Sequence, residues 1–322
     1  MSIEFKSGNY LSDQEWDEFV LSANNGTMFH TRKFLSYHPS DRFRDQSYVI
    51  LKKDQPYALL PAVRVDYDDK VTLFSHRGAS YGGFVYPADL SIRDSYKMVE
   101  HLIAVAEESG IEQIILTHPP AIYNRRVSNY IDFALYKHGF DYLKREVSSM
   151  LTLESSIEEN LEKFRSSTRR NYRKSVRKGV TVRQSQDYAS FYKILKKNLK
   201  IRHNVQPTHT LEELEQLAEM FPDKIHLFGA FLENKMIAGV VNFICNQNVV
   251  LAFYISHDEE YQEYRAVNLL FYEIIRWSIT KNFKYLDFGI FTVNEDPNFG
   301  LGRFKESFGS SGVFRDTFIK IL

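Results

Sequence analysis

Between Lys163 and Lys178 the sequence KFRSSTRRNYRKSVRK holds eight lysines and arginines and no acid. The chain as a whole is balanced, 41 basic against 41 acidic residues, so outside this run 33 bases face 41 acids. A local excess of this kind is either a surface for phosphates or another polyanion, or a solvated face neutralised by acids elsewhere. Ser166-Ser167-Thr168 offers an N-cap and Gly179 a stop, so the spacing predicts a helix over Thr168–Lys178. On that helix Arg169, Arg173 and Arg177 form one i, i+4 row and Arg170, Lys174 and Lys178 the next. Tyr172 and Val176 fall on a narrower side that packs inward. Like charges four apart repel, so the rows do not serve the helix's own stability.

Other motifs fail on their context. Gly78-Ala79-Ser80-Tyr81-Gly82 spells the G-x-S-x-G nucleophile elbow, but an elbow lies between a strand and a helix. Here the extended, proline-ended Gly83-Phe84-Val85-Tyr86-Pro87 follows, and the glycines read instead as a loop of close approach. Asp287-Phe288-Gly289 imitates a kinase motif without its glycine-rich and catalytic loops. No Walker sequence or G-x-G-x-x-G turn occurs, and Gly300-Leu301-Gly302 alone carries little. The 10 histidines show neither H-E-x-x-H nor Cys/His spacing, so no metal is expected. Cys245, the single cysteine, rules out an intramolecular disulfide and reads as a buried thiol in an apolar strand.

The elements that must position these groups follow from periodicity. A chain of 322 residues suits two domains, expected at 1–150 and 151–322. Hydrophobic content of 43% with 25% charge is that of a soluble globular protein. The N-terminus lacks an apolar signal region, and the longest apolar stretches, near Ile237–Cys245 and Val249–Ile255, are strand-length. No integral membrane segment and a cytoplasmic location are therefore expected. In the first half we expect a helix at Asp13–Ala23, strands near Tyr48–Lys53, Tyr57–Asp66 and Val71–Ser75, a helix at Ile92–Ser109 and a strand at Gln113–His118. In the second half helices at Asp187–Lys200 and Leu211–Phe221 precede strands near Ile225–Leu232, Lys235–Cys245 and Val249–Ser256. A helix at Ala266–Lys281, a strand at Tyr285–Phe288, a short helix around Gly302–Ser307 and a strand at Val313–Ile321 complete the chain. Three antiparallel strands, a helix, a strand and a helix occur twice, which indicates a duplicated α+β unit with mostly antiparallel sheets.

Three stretches then combine: Arg169-Arg170-Asn171-Tyr172-Arg173-Lys174 ending in Lys178-Gly179-Val180, the strand Tyr285-Leu286-Asp287-Phe288-Gly289, and Gly300-Leu301-Gly302-Arg303-Phe304-Lys305-Glu306-Ser307-Phe308-Gly309. With the duplication, they resemble the Fem-type/GNAT-like acyltransferases, which include peptidoglycan bridge aminoacyltransferases and tandem N-acetyltransferase-like proteins. The resemblance spans nearly the whole chain and is sharpest over 161–180 and 284–309. It implies two tandem GNAT-like domains, each a mixed, mostly antiparallel sheet flanked by helices, with the acyl-donor site in the second. It also implies transfer of an acyl group to an amine from acetyl-CoA or another acyl-CoA, or alternatively from aminoacyl-tRNA. The acceptor would be a small-molecule or cell-wall-precursor amine, with tRNA as a possible partner. A non-catalytic polyanion-binding module on the same fold is the competing reading. Two departures matter: the pyrophosphate loop would fall at Tyr264-Arg265-Ala266-Val267-Asn268, which has no glycine, and residues 187–221 hold only two short helices instead of a long helical arm.

Within that resemblance, acyl transfer needs a neutral amine, a stabilised oxyanion and a proton for the leaving group. Lys305, expected in an interdomain groove, is assigned the oxyanion or proton-shuttle role, Tyr254 the leaving-group donor, and Asp287 the orientation of an amine or of Arg303. Arg303 would contact phosphate or carboxylate. Arg169 and Arg173, with Arg265 and Asn268 at the pyrophosphate position, are the expected donor contacts.

Overall fold

The computed structural model describes residues 3–203 and 206–322. They form two compact units, Met1–Glu146 with Phe314–Leu322, and Val147–Val313. Against the expected 1–150 and 151–322, the chain thus divides at Glu146/Val147, and its last segment returns to the first unit.

The first unit runs β1 (Ile3–Ser7), α1 (Asp13–Ser22), α2 (Arg32–Leu35), β2 (Arg44–Asp45), β3 (Tyr48–Lys52), β4 (Gln55–Leu60), β5 (Val63–Tyr67), β6 (Lys70–Ser75), α3 (Ile92–Glu108), β7 (Gln113–Thr117) and α4 (Tyr130–Lys137). A capping box between Ser12 and Glu15 starts α1. The strand expected over Tyr57–Asp66 is two strands, parted at Pro61-Ala62. Pro61 has no amide to give a ladder, and the two pieces join different sheets: β4 pairs with β3, β5 with β6. Met98, Val99, Leu102 and Ala106 form one face of α3 and bury against Ile50, Leu60, Leu73 and Ile114. The helix carries the chain across from β6 to β7, which pair in parallel from Thr72↔Gln113 to Ser75↔Leu116.

In the second unit β8 (Asp141–Thr152), entering at Val147, is followed by α5 (Ile157–Lys163), α6 (Ser166–Arg177), β9 (Val180–Ser185), α7 (Tyr188–His203), α8 (Leu211–Met220), β10 (Ile225–Leu232), β11 (Lys235–Ile244), β12 (Val249–His257), α9 (Ala266–Thr280), β13 (Tyr285–Ile290) and α10 (Phe299–Glu306). Its strands lie in the order β8-β13-β12-β11-β10-β9, antiparallel except for β12 with β13. Leu270, Phe271, Ile274 and Ile275 of α9 pack with Val240, Val250, Leu286 and Phe288. The final strand, β14 (Ser311–Ile321), pairs antiparallel with β7 through Thr317↔Thr117 to Ile321↔Gln113 and completes the first unit's sheet. The unit β6-α3-β7 and its counterpart β12-α9-β13 are the duplicated core. Among the described residues no helix is long and apolar enough to cross a membrane.

Candidate active site

The second unit's central feature is a parting of two strands. Parallel pairing of β12 with β13 covers Val249–Leu251 against Tyr285–Asp287 and stops, although β12 runs on to His257. Beyond Asp287, β13 turns toward β8, with a register irregularity before Ile290↔Ser148. Gly289, at φ +74°, makes that turn in the left-handed region. A backbone edge parted from its neighbour inside a sheet can take an extended ligand by strand-like hydrogen bonds.

Two of the sequence-assigned residues fasten the end of β13 just past the point of parting. The Asp287 carboxylate is fully buried and accepts from Ser148 Oγ at 2.5 Å and the Gly289 amide at 2.7 Å. Lys305, on α10, is 2% exposed and donates from Nζ to the Gly289 and Ile290 carbonyls at 2.8 and 2.7 Å. Burial pulls its ammonium down to about 8, with the Asp287 charge opposing. The lysine is therefore a buried clamp that holds its proton less tightly than an exposed lysine yet stays mostly charged at pH 7. Arg303, two residues earlier, is exposed.

Tyr254 lies on β12 past the point of parting and is 8% exposed. Its hydroxyl is engaged by His209, accepting from the amide at 3.1 Å and sharing a hydrogen bond with Nδ1 at 2.9 Å. The His209 carbonyl in turn accepts from Tyr192 Oη at 3.1 Å. Burial pushes the Tyr254 phenol up to about 12, so it stays protonated at neutral pH.

The basic helix extends over Ser166–Arg177, two residues earlier at its start than its cap signals indicate. It lies antiparallel along α9: Tyr172 stacks on Tyr272 at 4.6 Å and 7°, while Lys178 pairs with Glu263 at 2.5 Å beside the start of α9. Val176, expected inward with Tyr172, is exposed. The expected donor contacts differ in state. Arg169 is committed to the carbonyls that end α5, donating to Leu161, Glu162 and Phe164 at 3.1, 3.4 and 2.9 Å. Arg173 is exposed, its Nε 3.4 Å from Tyr172 Oη. Arg170, Arg173 and Arg177 are exposed and form no ion pair among the described residues. Arg265 adopts φ +56° immediately before α9, taking the left-handed conformation a glycine would supply, and Asn268 is buried in the first turn. Glu259, Glu260 and Glu263 precede it and pair with His257, Lys197 and Lys178, and the first turn of α9 itself holds no acid.

Sequence reasoning missed Ser148 and His209, which engage Asp287 and Tyr254 from 139 and 45 residues away. Neither belongs to a motif, so no sequence signal marks them. Ser80 of the elbow-like motif lies in a loop whose Ser80 carbonyl accepts from Arg315 at 2.8 Å, and the next helix begins only at Ile92. No cluster of metal-ligating side chains occurs among the described residues.

Residues 162–305 match the family model described as an acetyltransferase (GNAT) domain. Among solved structures, the chain superposes on that of FemX with a TM-score of 0.75 and 13% identity, covering 100% of this chain and 98% of that one. A tandem GNAT protein from the clavulanic acid biosynthesis pathway, solved without AcCoA, gives 0.60 at 9% identity over 99% and 98% of the two chains. The C-terminal domain of a putative lysylphosphatidylglycerol synthetase from Agrobacterium fabrum gives 0.60 at 10% identity, with 96% and 92% covered. A search of curated proteins finds no match.

Proposed function

We propose that this chain, with a GNAT domain at residues 162–305 and the tandem fold of the Fem-type/GNAT-like acyltransferase superfamily, is an N-acyltransferase using a phosphate-bearing donor. The observation that carries this reading is the parting of β12 from β13, clamped by Asp287 and Lys305. An acyl-CoA fits the parted edge, because its extended amide-containing arm can add to β12 as a short strand. The donor supplies an activated acyl carbonyl. Lys305 can release or take a proton at Nζ more readily than an exposed lysine, and Tyr254, on β12 itself, keeps its phenolic proton while hydrogen-bonded to His209. Arg303 and the exposed cations of α6 supply charge for phosphate. The acceptor is an amine that attacks the carbonyl directly, without an acyl-enzyme intermediate.

Aminoacyl-tRNA is the second reading for the donor, and one observation favours it. The start of α9 has no glycine for a backbone cradle, whereas the exposed Arg170, Arg173 and Arg177 form a cationic row longer than one pyrophosphate requires. On either reading the activity belongs in the cytoplasm, where both donors are made.

Thermal shift with acetyl-CoA, longer acyl-CoAs and charged tRNA distinguishes these donors, since a bound donor stabilises by mass action. Stabilisation by one of them, with acyl transfer to an amine that falls in Lys305→Ala, is expected. No shift with any would leave a non-catalytic polyanion-binding module.

A further inference from the structure

Helix α4 of the first unit is apolar on both sides. Ile131, Ala134 and Leu135 bury into the core, yet Tyr130, Phe133 and Tyr136 point to solvent, and with Val127 just before them are 45–66% exposed. A helix of this composition is ordinarily covered on every side. Phe133 touches Tyr96 of α3, and Ile92 at the start of α3 is also exposed, which widens the apolar face. Cations rim it: Arg126 and Lys137 at the two ends of the segment and Arg93 on α3 are exposed, as is Arg125, whose guanidinium donates to the Leu21 carbonyl. The only acid between Arg125 and Lys137 is Asp132, and it is turned to His118 Nδ1 at 3.2 Å.

The segment is held firmly. Asn24 clasps Arg126 from both sides, Nδ2 donating to its carbonyl at 2.9 Å and Oδ1 accepting from its amide at 2.8 Å. The Asn24 carbonyl also accepts from the Arg125 amide at 2.8 Å. The loop before α4 therefore presents Val127 and its flanking arginines in a fixed arrangement.

We propose that this face is a docking surface for an anionic lipid bilayer, the aromatic rings entering the headgroup region and the cations meeting lipid phosphates. Tyr and Phe flanked by Arg and Lys is the composition of interfacial helices. Charge decides against a second copy of the chain. A two-fold interface would bring Arg125, Arg126 and Lys137 against their own equivalents, whereas an anionic surface attracts all of them. The docking requires nothing of the acyl donor or acceptor.

The test is co-sedimentation of the full chain with phosphatidylcholine vesicles, with and without phosphatidylglycerol. The wild type binds the anionic vesicles, and binding weakens with salt. Phe133→Ser with Tyr136→Ser lowers the partition coefficient about tenfold or more. Arg126→Glu with Lys137→Glu lowers it by at least about fivefold per charge. Because all four side chains are exposed, thermal midpoints stay close to wild type. In Phe133→Trp the new indole emission shifts to shorter wavelength on anionic vesicles only. Absence of binding, binding indifferent to both pairs of substitutions, or a solution dimer that they dissociate would each overturn the proposal.

Discussion

Acidification from pH 7 to pH 5 should destabilise the first unit through two buried histidines. His30 is fully buried; its Nδ1 accepts from the Thr27 amide at 3.0 Å and its Nε2 lies 3.0 Å from the Gly82 carbonyl. That pattern fits a neutral ring with its proton on Nε2, and burial holds its pKa down to about 4. His76 is likewise pulled down to about 4 by burial. Both lie below their ordinary 6.5, so between pH 6.5 and 4 the unfolded chain binds more protons than the folded one. Stability is therefore present at pH 7 and lost as pH falls through this window. Each histidine contributes a loss of about 2 kcal/mol between pH 7 and 5. Asp316 acts in the opposite sense. Burial raises it to about 6, Arg145 opposing, so its folded form retains a proton that the unfolded form releases. This returns about 1 kcal/mol over the same interval, leaving a net loss of about 2–3 kcal/mol. Urea denaturation followed by tryptophan fluorescence measures it. Trp16, buried and donating from Nε1 to the His30 carbonyl at 2.9 Å, reports the first unit once Trp277 of α9 is replaced by phenylalanine. In a His30→Gln background the loss between pH 7 and 5 should shrink by about 2 kcal/mol. An undiminished loss in that background would refute the assignment of a neutral, buried His30.

Lys305→Met should cost the second unit about 2–4 kcal/mol, because the Gly289 and Ile290 carbonyls lose their shared donor; Trp277 fluorescence in urea reports it, and turnover should fall as well. Arg170→Glu with Arg173→Glu should weaken donor binding and flatten its salt dependence. By contrast Arg169→Ala should lower the melting temperature through loss of the α5 carbonyl contacts while leaving the salt slope nearly intact, as titration calorimetry at several salt concentrations would show. Gly83→Ala should destabilise the first unit by at least about 2 kcal/mol, since Gly83 has φ +76° and an added Cβ would lie 1.7 Å from His118 Cδ2; a urea midpoint equal to wild type would contradict that packing.

Much of the fold was legible because its elements are locally coded. Regular periodicity and turn signals located α3, α9 and the hairpin strands β10 and β11 to within a residue or two. The elements not foreseen lack such signals. The outer half of β8, Asp141–Glu146, alternates little and is rich in charge, and α5 is only seven residues long. Helix α4 was implied by the duplicated order of elements but given no bounds, because its solvent side is as aromatic as its buried side, which erases the usual helical contrast.

For the candidate site the division is sharper. The sequence by itself determined the concentration of cations at 163–178 and the absence of glycine around Arg265. Residue identity settles such properties whatever the chain folds into. Only the tertiary structure decided that Arg169 is spent on the end of α5 while Arg170, Arg173 and Arg177 face solvent. It alone turned Lys305 from an expected groove lysine into a buried clamp on β13, with its proton held less tightly. Charge is fixed by sequence, but its availability and pKa depend on desolvation and on partners that folding brings together, such as Ser148 with Asp287 across 139 positions of chain.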